Sequence, residues 1–534
     1  VSIAVTAPAR RARVRIGGPV LDGIGLGLTF VVFAWFVARG MWRPPNTYDE
    51  GILLSNAEAV RHGVALYRDR YSNYPPGIFW TVAAAFSVTG PSYLAVRALG
   101  VGVHVWLALL AGRLGGRLVH RRFSWLACGL NAVWLMRLLA IPFAWLVALA
   151  LLLTAVDAAT SAPAGRPWST RRTMAIGALV GAVGVYRHDL FAYTVCALII
   201  VVIVDTIRLR SLPSAPARRT FLVAAAAASV VLAAVWVPTL LRAGLSPVLG
   251  DLWLDQTRRV LPHRRIPFSM PLVLNGPGGI GLPAPLADSW PGGMLLAALA
   301  PFAAWALWRR TRSPLPWMLG AVSVATLPQL LQRADGTHAL YTVTPGLVLV
   351  GALAEHWCRR AHTDRRPIGA AMVSALIIPT WSAHLAFAVP APYDGGTRIS
   401  GRFGGTVELE PARHRARQEV VDWIRSTVPP GRPFWSGCSD HLQSSANELD
   451  LYFLAGRPGP TKWLQFDPGL QDSPEIQRRI IADFERTRPP AAVLADCERT
   501  DVGHGGRSPL LDRYLERTYR VERTLPGYRL LVRR

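Results

Sequence analysis

Three short polar stretches hold the residues whose types could do chemistry. The first is Asn46-Thr47-Tyr48-Asp49-Glu50-Gly51, with two carboxylates side by side. The second is Arg187-His188-Asp189, and the third runs Gln332-Arg333-Ala334-Asp335-Gly336-Thr337-His338. Each alone also reads as a solvated turn. Together they bring carboxylate, guanidinium and imidazole to one system. A carboxylate held near a hydroxyl can act as general base. Arginine grips phosphate oxygens through a planar, permanently charged fork. A site with both suits an acceptor hydroxyl and a lipid-phosphate donor. The base takes the hydroxyl proton, the oxygen attacks the donor carbon, and phosphate leaves. That leaving group needs charge stabilisation more than a proton, which arginines supply. Tyr48, Tyr74, His188, Asp335 and His338 are the candidate substrate contacts.

The elements that must position these residues are read from hydropathy. The chain has 534 residues, 51% hydrophobic and only 17% charged, with mean hydropathy +0.27. Long apolar runs are broken by short arginine clusters, the pattern of an α-helical polytopic membrane protein. In a soluble protein the net charge of +25 would suggest nucleic acid. Here the basic residues sit in short loops between apolar runs, so the positive-inside rule accounts for them and nucleic acid is excluded. Lys462 is the only lysine.

Placing the N-terminus and the arginine clusters in the cytoplasm gives about eleven spans. They lie near 20–38, 93–112, 122–138, 142–160, 172–186, 189–207, 220–241, 292–308, 315–331, 338–357 and 368–388. The apolar run Leu21–Val37 is an uncleaved first span rather than a signal peptide. Pro76–Val88 is too short to cross and reads as a helix lying against the outer leaflet. Pro75 and Pro76 start it and Gly90-Pro91 ends it. The three polar stretches then fall on the outer face, where charges at membrane depth usually mark a wet cavity.

Two larger pieces share that face. A middle loop, about 242–291, carries Arg258, Arg259, His263, Arg264 and Arg265. It is either a basic helix on anionic lipid or part of a donor-phosphate site, with Arg258, Arg259 and Arg264 as contacts. Residues 391–534 hold no further span and read as a soluble α/β extracytoplasmic domain behind a transmembrane domain over 1–390. Strands are expected at Pro433–Trp435, Ala491–Leu494, Tyr519–Arg523 and Tyr528–Val532, and helices at Glu448–Leu454, Ser473–Thr487 and Pro509–Leu515. Five cysteines are too few for a disulfide scaffold. Cys438 and Cys497 share the outer region and could pair. No spacing matches a metal motif, though the acidic pair could take a divalent cation. Ser439-Asp440-His441 is read as a loop, since a triad is set by geometry, not adjacency.

Asn46–Gly51, Ala57, Gly63, Leu66-Tyr67, Tyr74-Pro75-Pro76-Gly77, Gly90 and Arg97 resemble the first outer loop of polytopic GT-C glycosyltransferases. The similarity is greatest to the bacterial protein-mannosyltransferase-like and aminoarabinose-transferase-like branches, and it covers about residues 20–390. Tyr452–Pro458 is similar to the C-terminal domain of some bacterial members. The resemblance implies transfer of a sugar from a polyprenyl-phosphate donor, outside the cytoplasm and with inversion. It implies Asp49 as catalytic base, with Glu50 shaping the site. The arginine bias and the outer-face site point to the bacterial plasma membrane as location. Two departures stand out. Tyr74 occupies the place where some relatives carry a phosphate-binding lysine. The second outer loop, Arg137–Pro142, lacks the acid that many relatives have. Asp189 is expected to take that second acidic place, with Arg187 and Arg333 on the donor phosphate.

The acceptor class, glycan, lipid or protein, is left open. A transporter or flippase for a lipid-linked or anionic substrate is the main alternative. It would place broken helices and charges near mid-membrane, whereas here they gather at the outer ends. A non-catalytic, glycan-binding assembly protein would keep the fold without needing Asp49.

Overall fold

The computed structural model describes residues 41, 45–119, 140–161, 168–196, 215–263, 290–311, 313–332, 336–360, 397–398, 408–409, 411–442, 447–467, 469–497 and 508–534. The spans expected near 20–38, 122–138 and 368–388 lie outside these residues, as do Arg264, Arg333 and Asp335.

Six of the apolar runs are helices: Tyr93–Leu118, Ala144–Thr160, Thr170–Tyr186, Ala215–Ala243, Trp290–Thr311 and Gly336–Arg360. Residues 188–196 are also helical, beginning what was read as the 189–207 span. Among the described residues, two helical stretches are long and apolar enough to cross a bilayer, Tyr93–Leu118 and Arg218–Ala243. The second leaves Phe221, Val230 and Leu241 exposed at 59%, 68% and 82%. Lipid tolerates such a surface far better than water does.

Small residues let the helices meet. A Cβ on Gly177 would lie 2.1 Å from the Ala224 carbonyl oxygen, and one on Gly181 2.5 Å from that of Ala228. This four-residue spacing is the close-approach stripe of membrane helix pairs. At the end remote from the three polar stretches, Asp157 accepts from Arg113 Nε at 2.7 Å and Arg117 Nη1 at 2.6 Å, tying Tyr93–Leu118 to Ala144–Thr160.

Two elements differ from expectation. The 315–331 span is broken into Leu315–Ala325 and Leu327–Gln332. Pro328 has no N–H to continue the ladder, and Gln329 N instead reaches Thr326 O at 3.2 Å. The middle loop is helical over 245–263 and contains two π-turns, Gly250–Leu254 and Gln256–Val260. Pro76–Val88 is the 13-residue helix Gly77–Thr89, about 20 Å long and too short to span.

The C-terminal region holds a four-stranded sheet in the order β3-β4-β6-β5. Its strands are β3 Trp435–Cys438, β4 Ala491–Ala495, β5 Tyr519–Leu525 and β6 Tyr528–Arg533. A separate two-residue pair, β1 Thr397–Arg398 with β2 Glu408–Leu409, precedes it. β3 and β4 are parallel, and the other pairings are antiparallel. Helices Pro411–Thr427, Asp450–Ala455, Pro474–Thr487 and Leu510–Thr518 accompany the sheet. The first of these is absent from the sequence reading. The first expected strand starts two residues late, at Trp435, because Phe434 N donates to Pro458 O at 3.1 Å rather than into the sheet.

Cys438 and Cys497 are disulfide-bonded, with Cα atoms 5.5 Å apart and a sequence separation of 59. A loop of that length corresponds to about 4 kcal/mol of chain-entropy stabilisation. Reductant should therefore lower the thermal midpoint of the purified protein, and it should have no further effect on Cys438→Ser/Cys497→Ser. Differential scanning fluorimetry tests both.

Candidate active site

The first polar stretch folds as a helix start. Asn46 Oδ1 accepts from Tyr48 N at 3.2 Å and Asp49 N at 2.8 Å, while Asn46 N donates to Glu50 Oε2 at 2.9 Å. This reciprocal exchange satisfies N–H groups that the Asp49–Arg61 helix leaves open. Asn46 Nδ2 also donates to Asp49 Oδ2 at 2.8 Å, fixing the carboxylate at the positive end of the helix. Asp49 is partly exposed.

Glu50 turns the other way. Arg97 Nε donates to its Oε1 and Arg97 Nη2 to its Oε2, both at 2.7 Å, and both side chains are fully buried. Arg97 Nη1 donates to Met41 O at 2.6 Å. Glu50, read with Asp49 among the catalytic acids, is thus closed off from solvent and acts through its neighbour, positioning Asp49 by locking the helix start to Tyr93–Leu118. The acidic pair is divided between two neighbourhoods.

The lock extends into the C-terminal region. Arg97 lies over the Tyr93 ring at 5.8 Å, and Tyr93 Oη donates to Asp450 Oδ2 at 2.6 Å. Arg417 then joins Asp450 to Glu448. Thr47 O accepts from Leu449 N at 3.1 Å. A Cβ on Gly51 would lie 2.6 Å from Asp450 N, so the two regions meet at backbone distance. Tyr48 Oη, a candidate substrate contact, is 2.9 Å from Asp467 Oδ1 and 3.0 Å from Phe466 O.

The second stretch is brought against the Pro-Pro helix. A Cβ on Gly77 would sit 2.7 Å from Val185 O, and Thr81 Oγ1 and Tyr186 Oη are 2.6 Å apart. The Pro-Pro helix therefore abuts the end of Thr170–Tyr186, just before Arg187. Tyr74 O, in the same turn, accepts from Tyr67 Oη at 2.9 Å.

Asp189 is saturated. Its Oδ1 accepts from Arg187 Nε at 2.8 Å and Leu190 N at 2.9 Å, and its Oδ2 from Arg187 Nη2 and Gln329 Nε2. Four donors leave it no basicity to spare, so its catalytic assignment is corrected. Arg187 is held as the other half of that pair. His188 packs on Trp253 with ring centroids 4.9 Å apart, and its buried Nδ1 has no hydrogen-bond partner. It therefore remains a candidate substrate contact. Of the middle-loop arginines, Arg258 is exposed. Arg259, assigned to donor phosphate, pairs here with Asp255 and with Glu475 of the C-terminal region. His338 falls in the Gly336–Arg360 helix.

The chain was compared with known proteins. No protein-family model matches it, and no curated protein does. Solved structures do match. ArnT from Cupriavidus metallidurans bound to undecaprenyl phosphate aligns over 96% of this chain and 98% of its own, with 13% identity and TM-score 0.55. The fold is that of the GT-C membrane glycosyltransferases. The Archaeoglobus fulgidus oligosaccharyltransferase tethered with an acceptor peptide aligns over 88% and 69%, with 12% identity and TM-score 0.56. The same organism's AglB with an inhibitory peptide and a dolichol-phosphate aligns over 90% and 70%, with 12% identity and TM-score 0.51.

Within the GT-C fold, sequence reading missed the partners more than the clusters. Arg97 was in the motif without a role. The signal was there, since an arginine in an apolar run needs a carboxylate. Lys462 has no role that the sequence alone displays. Its Nζ donates to Tyr67 O at 2.7 Å and to Asp251 Oδ1 at 2.9 Å, joining the C-terminal region, the first loop and the 245–263 helix. Burial pushes the Asp251 carboxyl up to about 7 against the opposing pull of Lys462.

Two outcomes are expected. Arg97→Met strands a buried carboxylate and should destabilise by about 3–5 kcal/mol, with most recovered in Glu50→Gln/Arg97→Met. Chemical denaturation in detergent reads both. Asp251 holds its proton more tightly folded than unfolded. Its contribution to stability is therefore greatest below about pH 4 and is lost as pH rises towards 7. Thermal midpoints across that range should fall less steeply in Asp251→Asn than in wild type.

Proposed function

We propose that this chain is an integral-membrane glycosyltransferase. It transfers a sugar, with inversion, from a polyprenyl-phosphate donor to an extracytoplasmic acceptor, at the plasma membrane of a bacterium. The chain crosses the bilayer about eleven times, with the C-terminal region on the outer side as an extracytoplasmic domain. Likeness to folds solved with undecaprenyl phosphate and dolichol-phosphate supports the donor class.

One observation carries the assignment of the base. Of the three carboxylates singled out, Glu50 is sealed by Arg97 and Asp189 is saturated by four donors, while Asp49 is held by Asn46 and stays partly exposed. In the reaction, Asp49 takes the proton of the acceptor hydroxyl. The oxygen attacks the anomeric carbon from the face opposite the phosphate, and the C–O bond to phosphate breaks with its electron pair. Arg187, Arg258, Arg264 and Arg333 are the cationic side chains assigned to stabilise the departing charge. His188 and Tyr74 line the approach.

The test is sugar transfer from radiolabelled polyprenyl-phosphate donors in membranes holding wild type or Asp49→Asn. The amide keeps the Asn46 contact but cannot accept the proton. A loss of about 100-fold or more is expected at equal expression and unchanged thermal midpoint. Equal transfer by the two would remove Asp49 from the chemistry. Movement of labelled lipid across the membrane without transfer would replace the reading by the transporter one.

A further inference from the structure

Three arginines among the described residues are buried: Arg70, Arg97 and Arg417. Two have carboxylates, Glu50 for Arg97, and Glu448 and Asp450 for Arg417. Arg70 has none. Its guanidinium makes no hydrogen bond and no ion pair among the described residues, and its Nη1 is buried without a partner. The neighbouring acid is taken, since Asp69 is held by Arg68 Nε and Nη2, each at 2.8 Å, and by Ala65 N.

Arg70 is held where it is. Tyr67 N donates to Arg70 O at 2.6 Å, and the next residue, Tyr71, donates its N–H to Lys462 O at 3.0 Å. Lys462 Nζ also donates to Tyr67 O at 2.7 Å, so the segment is tied to the C-terminal region on both sides of Arg70. Tyr452, from the helix Asp450–Ala455, feels its charge. That hydroxyl accepts from Ser436 N at 2.9 Å, and its own proton has only a long 3.5 Å contact to Ser436 O. The phenol is neutral and cannot compensate a cation. Burial pushes the Arg70 pKa down, with only partial offset from Tyr452 and Asp69. An uncompensated buried charge is costly, and a fixed guanidinium fork matches a planar or tetrahedral oxyanion.

We propose that Arg70 is the heart of an anion-binding site at the joint between the 66–71 segment and the C-terminal region. It takes a single oxyanion, carboxylate or phosphate, with the Tyr452 hydroxyl as a second donor. The site is separate from the Asp49 chemistry and does not depend on the glycosyltransferase reading.

The experiment uses the full chain purified in detergent, with thermal unfolding followed against added sodium phosphate or sodium acetate. Chloride keeps the ionic strength constant. Wild type should gain stability saturably with one of the two anions, and the one that works identifies the oxyanion. Arg70→Gln and Arg70→Met should lose that response, and without anion they should be at least as stable as wild type because no stranded charge remains. Arg70→Lys keeps the charge but not the fork, and should bind at least 10-fold more weakly. A response undiminished in Arg70→Gln, or a wild type blind to both anions, overturns the proposal. If the neutral variants do not fold, calorimetric titration of wild type decides. Saturable binding at one site per chain supports the assignment, and no binding overturns it.

Discussion

A carboxylate and a guanidinium removed from water must neutralise each other, and the Glu50–Arg97 pair is where this structure meets that demand. Both side chains are fully buried, and both oxygens of Glu50 are engaged. Breaking such a pair is far more costly than never having built it. The pair therefore fixes the start of Asp49–Arg61 against Tyr93–Leu118 with little freedom. Asp49, one residue earlier, inherits that fixity and points elsewhere. Two adjacent acids thus have opposite surroundings, one sealed against Arg97 and one partly exposed at the helix start, because successive helical residues lie about 100° apart.

The same demand is met again further out. Tyr93 passes the connection from Arg97 to Asp450, and Arg417 closes it onto Glu448. Asp467 holds both Tyr48 and Tyr71. The C-terminal region is therefore more than an appendage covering the membrane helices. Its carboxylates hold residues on both sides of the acidic motif, and the apolar core is continuous from Leu54 and Phe79 to Trp435 and Phe466. A site assembled from two regions of the chain is rigid only when both are docked.

Much of this was legible from sequence. Helices at Tyr93–Leu118, Thr170–Tyr186 and Ala215–Ala243 announce themselves by length and apolarity, and β5 and β6 by the turn at Pro526-Gly527. Pro411–Thr427 escaped because its arginine-rich surface hides a narrow apolar stripe of Val420, Val421 and Ile424. In the candidate site, the positions of the clusters were readable but their pairings were not. Asp189 looked like a second acid because sequence displays the residue and not its four donors. Gln329 lies 140 residues away, and no local pattern links the two. Long-range pairing decides which charges are spent on structure.

Lys462 carries the only ε-amine in the chain, and it sits at the joint with its nitrogen held by Tyr67 O and Asp251. Every other cationic side chain is arginine or histidine. Acylating reagents selective for lysine can therefore mark this protein's side chains at one place only, and only when the hydrogen bonds there let go. The molecule carries its own single-site reporter of how often its two parts come undone.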